Sequence, residues 1–193
     1  MRSIEEQTVT ATLRPLTYDD LLEMPDDGQR YESIDGELIV TPAPAIKHQR
    51  VLRSLIRVLG AFAYETGRGE LVLPPFDVVL GHYNIVKPDL LLIASEPGHI
   101  PRDHDKFEGP PDLVVEVSSP ISLRIDLVRK SALYARCGVP EYWIADPERR
   151  RMVIYNLQDK QYVPIESDAN GWLASRVFPG LRVDPSEVFF GLD

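Results

Sequence analysis

Two acidic residues lie where the sequence otherwise predicts buried apolar strands. Glu116 is in the middle of the stretch Asp112-Leu-Val-Val-Glu-Val-Ser118, and Asp89 immediately precedes the apolar residues 90–93. A buried carboxylate is unfavourable unless it is paired, protonated or bound to a metal ion. If the two strands are neighbours, Asp89 and Glu116 would offer the carboxylate oxygens that Mg²⁺ or Mn²⁺ takes as ligands beside water and phosphate oxygens.

Lys130 interrupts a second apolar pattern, in the helix predicted over about residues 123–137. Three-and-four spacing gives one face of this helix five members, Leu123, Leu127, Lys130, Tyr134 and Cys137. The strand–turn–helix connection from Glu116 would bring this face back toward the carboxylates. An ammonium beside a metal-bound carboxylate pair can orient or deprotonate an attacking water and offset the charge that develops on a phosphate.

Each of these residues also has a purely structural interpretation. Glu116 would then be a salt-bridged residue or an edge-strand residue facing water, and Asp89 an ordinary turn residue at the start of a strand. Lys130 would extend its ammonium to solvent or pair with Asp126 one turn earlier. The spacing alone leaves both interpretations open.

The 193-residue chain has an ordinary globular composition, 44% hydrophobic and 26% charged, and its length predicts one domain. We assign residues 1–16 to an N-terminal tail and residues 17–193 to a single domain. The net charge is −9, which argues against nucleic-acid binding over the whole surface but allows a local basic face. Cys137 is the only cysteine, which excludes an internal disulfide and a multi-cysteine zinc site. Because we find no signal peptide and no membrane-spanning run, we expect a cytoplasmic protein that does not bind membranes.

The pattern of apolar and turn residues predicts a mixed α/β core with helices on both sides of a central sheet. Asp35-Gly36 is a strong two-residue turn signal, and it predicts a hairpin of residues 30–34 with 37–41. A helix is predicted from about 45 to 65, and residues 95–111 are predicted to form a long loop. A second hairpin, of residues 152–157 with 161–165, would close the fold near the C-terminus.

The long predicted helix has a basic face without acidic residues, made of Lys47, Arg50, Arg53 and Arg57. Such a stripe would position a phosphate backbone, and His48, near the helix start, would contact the substrate or cap the helix. A solvated helix face explains each cation equally well.

Several further stretches accompany these residues along the chain. They are Tyr31-Glu32-Ser-Ile-Asp35-Gly36-Glu37-Leu, His48, Lys87-Pro88-Asp89, Gly109-Pro-Pro-Asp112-Leu-Val-Val-Glu116-Val-Ser118-Ser119-Pro120, and Lys130 through Tyr134 to Gly138-Val139-Pro-Glu141-Tyr142-Trp143. In their order and number they resemble the PD-(D/E)XK nuclease superfamily and, more narrowly, its bacterial "putative restriction endonuclease" family. The resemblance covers roughly residues 17–160.

The resemblance implies a restriction-endonuclease-like core, a mixed β-sheet flanked by helices, with additional N-terminal and C-terminal β-hairpins. It implies Mg²⁺-dependent cleavage of phosphodiester bonds in nucleic acid, here taken as DNA, often by a homodimer. Asp89 and Glu116 would bind the metal, Lys130 would be the catalytic lysine, and Glu37 would be an additional acid. The superfamily places its lysine two residues after the acid, where this chain has Ser118, so Lys130 would have to arrive from the following helix.

Three functional hypotheses follow. In the first, a metal-dependent endonuclease, Lys130 orients a metal-activated hydroxide. In the second, the chain is a non-catalytic nuclease fold that binds nucleic acid or assembles partners, and salt bridges from arginines to the carboxylates would favour this hypothesis. In the third, which we weight least, His99 and His104 hold a transition metal together with Asp103 and Asp105, although their spacing matches no strong zinc motif.

Overall fold

The computed structural model describes residues 14–95 and 106–192. The elements in chain order are α1 (Tyr18–Leu22), β1 (Arg30–Ile34), β2 (Glu37–Thr41), α2 (Ile46–Thr66), β3 (Gly69–Val72), β4 (Asp77–Gly81), β5 (Asn84–Val86), β6 (Leu90–Ala94), β7 (Lys106–Glu108), β8 (Leu113–Val117), a π-helical segment (Ile125–Lys130) that continues into α3 (Ser131–Cys137), β9 (Glu141–Asp146), β10 (Arg151–Gln158), β11 (Gln161–Pro164), β12 (Leu173–Ala174), β13 (Arg182–Val183) and α4 (Pro185–Val188). The N-terminal tail predicted for residues 1–16 lies almost entirely outside the described residues.

A six-stranded mixed sheet forms the centre of the fold, in the order β11-β10-β9-β8-β6-β3. Strands β8 and β9 run parallel, and the other neighbours are antiparallel. The C-terminal hairpin predicted from the sequence is present as β10 and β11, and it extends this sheet. The predicted mixed α/β core with a central sheet is therefore confirmed.

Both faces of the central sheet are covered, which explains why β6 and β8 are apolar almost throughout. Leu113, Val115 and Val117 point to the side where α2 packs through Val51 and Leu55. The alternate residues of the strand point to the other side. Val114, for example, belongs to a second cluster with residues of α3 and of the N-terminal hairpin.

A second mixed sheet, β2-β1-β5-β4-β7, lies against that other face. Its hairpin has the predicted register, with Ile34 opposite Glu37. Asp35 and Gly36 both have positive φ, 56° and 79°, as the tight hairpin turn requires. The long loop predicted for residues 95–111 is partly wrong, because residues 106–108 form β7, which pairs in parallel with β4.

Tyr142 and Trp143 of β9 are fully buried and serve the core, as the sequence predicts. The Trp143 indole donates a hydrogen bond to Glu141, and the Tyr142 hydroxyl donates to the Asp126 carbonyl oxygen. Each aromatic side chain therefore has its polar partner. Within residues 14–95 and 106–192, no helix is both long enough and apolar enough to cross a bilayer.

Candidate active site

The structure brings Asp89 and Glu116 together at two neighbouring strands of the central sheet. Asp89 directly precedes β6, which pairs antiparallel with β8, the strand of Glu116. The Asp89 amide donates to the Val115 carbonyl oxygen at 3.1 Å, and the Val117 amide donates to Asp89 Oδ2 at 2.8 Å. Both side chains are nearly inaccessible, with residue exposures of 2% and 3%.

Asp89 is paired with two cationic or polar side chains from other elements. Arg30, at the start of β1, donates to Asp89 Oδ1 at 2.8 Å. His48, in the first turn of α2, lies with Nε2 3.0 Å from Asp89 Oδ2. Burial alone would raise the pKa of Asp89, but the hydrogen bond from His48 and the charge of Arg30 lower it to about 2. Asp89 is therefore ionised at neutral pH and only accepts hydrogen bonds, so His48 Nε2 is the donor.

Glu116 is bound to Lys130, as the sequence hypothesis requires. Lys130 Nζ lies 2.9 Å from Glu116 Oε1 and 2.8 Å from Glu32 Oε1, and the Tyr134 hydroxyl donates to the same Glu116 oxygen at 2.9 Å. Burial opposes the charge on Lys130, yet the carboxylates of Glu116 and Glu32 raise its pKa above the ordinary value. Burial also raises the pKa of Glu116, to about 8, against the attraction of Lys130, and the nearby carboxylates add to the rise.

The helix that carries Lys130 has π geometry up to that residue, which changes the face predicted from three-and-four spacing. Each π turn contains more residues than an α turn. Asp126 and Lys130 are both buried, at 2% and 4% exposure, whereas Leu127 is 43% exposed. The prediction that Leu127 shares the buried face of Lys130 is therefore wrong. The π-helical turn directs Lys130 inward, and π-helical segments often occur at functional sites.

Glu32 is the acid that the sequence analysis missed. It lies in β1 with 1% exposure, and its Oε1 also accepts a hydrogen bond from the Lys87 amide at 2.7 Å. The sequence could have indicated Glu32 in the same way as Glu116, because each acid lies in the middle of a predicted strand. Glu37, the additional acid implied by the resemblance, is not brought to this site. Its side chain is 73% exposed and pairs with Arg129 at 2.7 Å.

The basic face of α2 is engaged elsewhere in the molecule. Arg57 pairs with Glu187 at 2.8 Å, and Arg50 donates to the Gly191 carbonyl oxygen at 3.1 Å, so both hold the C-terminal segment. Lys47 pairs with Glu148 at 2.9 Å. Arg53 is exposed. Among the five residues predicted to bind nucleic acid, only Lys47 and His48 line the cleft described below.

Asp126 adds a fourth buried acid, and burial raises its pKa against the attraction of Lys130. The Ser118 hydroxyl interacts with the Asp126 carboxyl and lowers its pKa, although it makes no hydrogen bond of ordinary geometry. Ser118 occupies the position of the superfamily lysine.

The charges of this buried cluster fit a divalent cation. Its acids are Glu32, Asp89, Glu116 and Asp126, and its permanent cations are Arg30 and Lys130. When all four acids are ionised, their charge exceeds that of the two cations by two, which one Mg²⁺ would cancel with the oxygen ligands it prefers. Because the pKa of Glu116 is raised to about 8 in the metal-free protein, binding of the ion near neutral pH would release the proton of Glu116. In the described ranges no three His, Cys, Asp or Glu side chains form a ready-made metal cage, so water and substrate would have to complete the coordination.

His82, the other histidine that the structure describes, does not join this cluster. His82 stacks edge-on against Tyr83, with ring centroids 4.5 Å apart. His99 and His104 lie outside the described residues, so the hypothesis of a transition-metal site on their loop stays a prediction. Burial raises the pKa of the Cys137 thiol, which suits a packing role better than a nucleophilic one.

A cleft of about 300 Å³ opens above the buried cluster. The loops after β2 and after β8 both contribute to its walls. Side chains of all four acids, Arg30, His48 and Lys130 line its interior. The tertiary structure thus gathers residues from β1, α2, β6, β8 and the π-helical segment around one opening.

The sequence of residues 18–186 matches the Uma2 family, described as "Putative restriction endonuclease". The chain belongs to the Uma2 family. No curated protein matches the sequence. Among solved structures, the chain is similar to a crystal structure from Anabaena variabilis titled as a putative nuclease belonging to DUF820. The TM-score is 0.76 with 21% identity, and the match covers 92% of this chain and 99% of that one. At this identity the similarity shows a common fold.

In this Uma2 chain the lysine that contacts Glu116 does not lie at the position of the superfamily pattern. Ser118 stands two residues after Glu116, and the ammonium comes instead from Lys130 on the following helix. The lysine therefore reaches the same carboxylate from a different element.

Proposed function

We propose that this Uma2 protein is a Mg²⁺-dependent endonuclease that hydrolyses phosphodiester bonds in DNA. One observation carries the proposal. Asp89, Glu116 and Lys130, far apart in the sequence, meet beneath a single cleft, and their charges fit a divalent cation. Membership of a family described as "Putative restriction endonuclease" supports the same reaction class.

Asp89 and Glu116 would hold the metal ion, and Mn²⁺ would replace Mg²⁺ because it accepts similar oxygen ligands. When bound, the ion supplies a Lewis acid that offsets negative charge on the phosphate in the transition state. Arg30 and His48 fix the orientation of the Asp89 carboxylate through its two oxygens.

Lys130 would act as a permanent cation and would not act as a base. Glu116 and Glu32 raise its pKa, so it stays protonated at neutral pH. Its position between the two carboxylates would let it orient the attacking water and stabilise charge on the reacting phosphate.

The proposal is tested with plasmid and oligonucleotide DNA in Mg²⁺, Mn²⁺ and EDTA. We expect cleavage in both metals, none in EDTA, and at least ~100-fold slower cleavage by Glu116→Gln. Glu70→Gln is the matched control, because Glu70 is an exposed acid on β3 of the same sheet. Cleavage by Glu116→Gln at the wild-type rate would refute the mechanism.

A second candidate function, a non-catalytic nucleic-acid-binding or assembly module, is favoured by one contact. Arg30 and His48 occupy both oxygens of Asp89, as expected if this carboxylate serves the structure. Titration calorimetry with Mn²⁺ separates the candidates, because the endonuclease requires binding that Asp89→Asn abolishes. The predicted homodimer stays a prediction, which sedimentation velocity tests.

A further inference from the structure

The reactive groups lie at the bottom of a narrow opening. Asp89 and Glu116 are only 2% and 3% exposed, and the cleft above them measures about 300 Å³. This is the lower end of the ~300–1,000 Å³ typical of small-ligand pockets. A phosphodiester must therefore enter the cleft to reach the carboxylates, and a rigid double helix is too wide to follow it.

The exposed residues that line the cleft include several apolar side chains, whereas its buried residues are highly charged. Ile121, on the loop after β8, is 65% exposed and lines the cleft together with Pro42, Pro44 and Pro120. An exposed isoleucine among prolines provides a flat apolar surface for the face of an unstacked nucleobase. Proteins that bind single strands or extruded nucleotides rely on such contacts.

The charges at the cleft and along α2 disfavour duplex binding. Proteins that bind duplex DNA neutralise several phosphates with lysines and arginines. Here Lys47 pairs with Glu148 in the wall of the cleft, and Arg57 pairs with Glu187. The chain has a net charge of −9. Affinity would therefore depend on base contacts within the cleft, and stacked base pairs cannot supply those contacts.

Two buried polar atoms of the cleft, His48 Nδ1 and Ser118 Oγ, have no hydrogen-bond partner among the residues that the structure describes. His48 is 7% exposed, and its Nδ1 makes no hydrogen bond while Nε2 is held by Asp89. An unsatisfied buried polar group costs about 1–3 kcal/mol. The N–H groups of an entering base could supply a partner for His48 Nδ1.

We propose that the cleft accepts one unstacked nucleotide of single-stranded DNA, with its base against Ile121 and a polar group of the nucleotide on His48 Nδ1. This inference rests on the proposed endonuclease function and specifies its substrate. Fully paired DNA would be a poor substrate. Duplexes with unpaired nucleotides would be cleaved at intermediate rates, because their unpaired bases are already partly unstacked.

The test is fluorescence anisotropy with a labelled DNA strand of about 15 nucleotides. This length is near the upper end of the ~4–16 nucleotides that one single-strand-binding domain covers. The same strand is measured alone, fully paired, and paired with a bulged partner, each with Ca²⁺ and with EDTA. We expect the single strand to bind at least about tenfold more tightly than the full duplex. Ile121→Ser should weaken single-strand binding about three- to tenfold. Val128→Ser, at an equally exposed position (59%) outside the cleft, should leave binding unchanged.

Parallel cleavage assays in Mg²⁺ distinguish failure of the inference from failure of the proposed function. Efficient binding and cleavage of the full duplex would overturn the inference and retain the endonuclease. Tight single-strand binding without cleavage of any probe would retain the inference about the ligand and refute the endonuclease. Equal effects of Ile121→Ser and Val128→Ser would overturn the assignment of the base contact.

Discussion

Lys130 Nζ lies between Glu116 Oε1 and Glu32 Oε1, at 2.9 and 2.8 Å. These side chains come from three separate elements, and all are almost completely buried. The stability contributed by each of these side chains depends on the other two, because each charge is unfavourable in the interior without its partners.

The first prediction concerns removal of this buried cation. Lys130→Met should lower the free energy of unfolding by about 3–5 kcal/mol, because it leaves two carboxylates without their partner. Adding Glu116→Gln should restore part of the loss, since one of the uncompensated charges is then removed. Urea unfolding measures both effects. Arg53→Met, on the exposed face of α2, is the control. A double variant no more stable than Lys130→Met would contradict the proposed coupling.

The second prediction separates two acids of the N-terminal hairpin. Glu32 contacts Lys130, whereas Glu37 is exposed and pairs with Arg129. If cleavage depends on this cluster, Glu32→Gln should reduce kcat at least ~10-fold, because Lys130 loses one of its two anchors. Glu37→Gln should stay within about twofold of wild type. The reverse order would restore the role that the family resemblance gave to Glu37.

The third prediction is a pH dependence of stability in the metal-free protein. The pKa of Glu116 is raised to about 8 from an ordinary value of 4.5. A raised pKa means that the folded state binds the proton more tightly, so its stabilisation is complete below pH 4.5 and is lost as the pH rises toward 8. Between pH 5 and 8, wild type in EDTA should therefore lose more unfolding free energy than Glu116→Gln. Chemical denaturation at several pH values tests this, and parallel curves for the two proteins would contradict it.

The fourth prediction concerns metal binding. A ligand that binds only the folded state stabilises it by RT ln(1 + [L]/Kd), about 2.7 kcal/mol at 100 Kd. Mn²⁺ should therefore raise the melting temperature of wild type, and Asp89→Asn should abolish the shift. If Mn²⁺ produces the same shift in both proteins, the ion binds elsewhere.

The fifth prediction tests how the N-terminal segment joins the hairpin turn. A Cβ added at Gly36 would lie 2.3 Å from the Pro15 Cβ, whereas Gly28 has the same φ of 79° with open space around it. Gly28→Ala should cost about 1–2 kcal/mol from backbone strain alone. Gly36→Ala should cost more, about 3 kcal/mol or above, because Pro15 must also move. Equal losses of unfolding free energy for the two variants, measured by thermal unfolding, would show that Pro15 moves aside at no energetic cost.

The sequence by itself determined most of the order of elements and the positions of Asp89 and Glu116 at the start and in the middle of two buried strands. Both follow from local patterns. Apolar runs with acids at fixed positions specify buried strands, and the Asp35-Gly36 turn specifies a hairpin and its register. Lys130 could also be predicted, because a lysine within an apolar helix face is conspicuous even when the helix type is unknown.

Only the tertiary structure decided which distant groups surround these acids. Glu32 and Glu37 are equally plausible in sequence, but packing of β1 against the central sheet buries one and leaves the other at the surface. The pairing of Arg30 and His48 with Asp89, and of the basic α2 face with the C-terminal segment, joins residues 41 to 141 positions apart. Periodicity fixes the face on which a side chain lies. The partner it meets depends on how whole elements pack, and local sequence does not encode that contact.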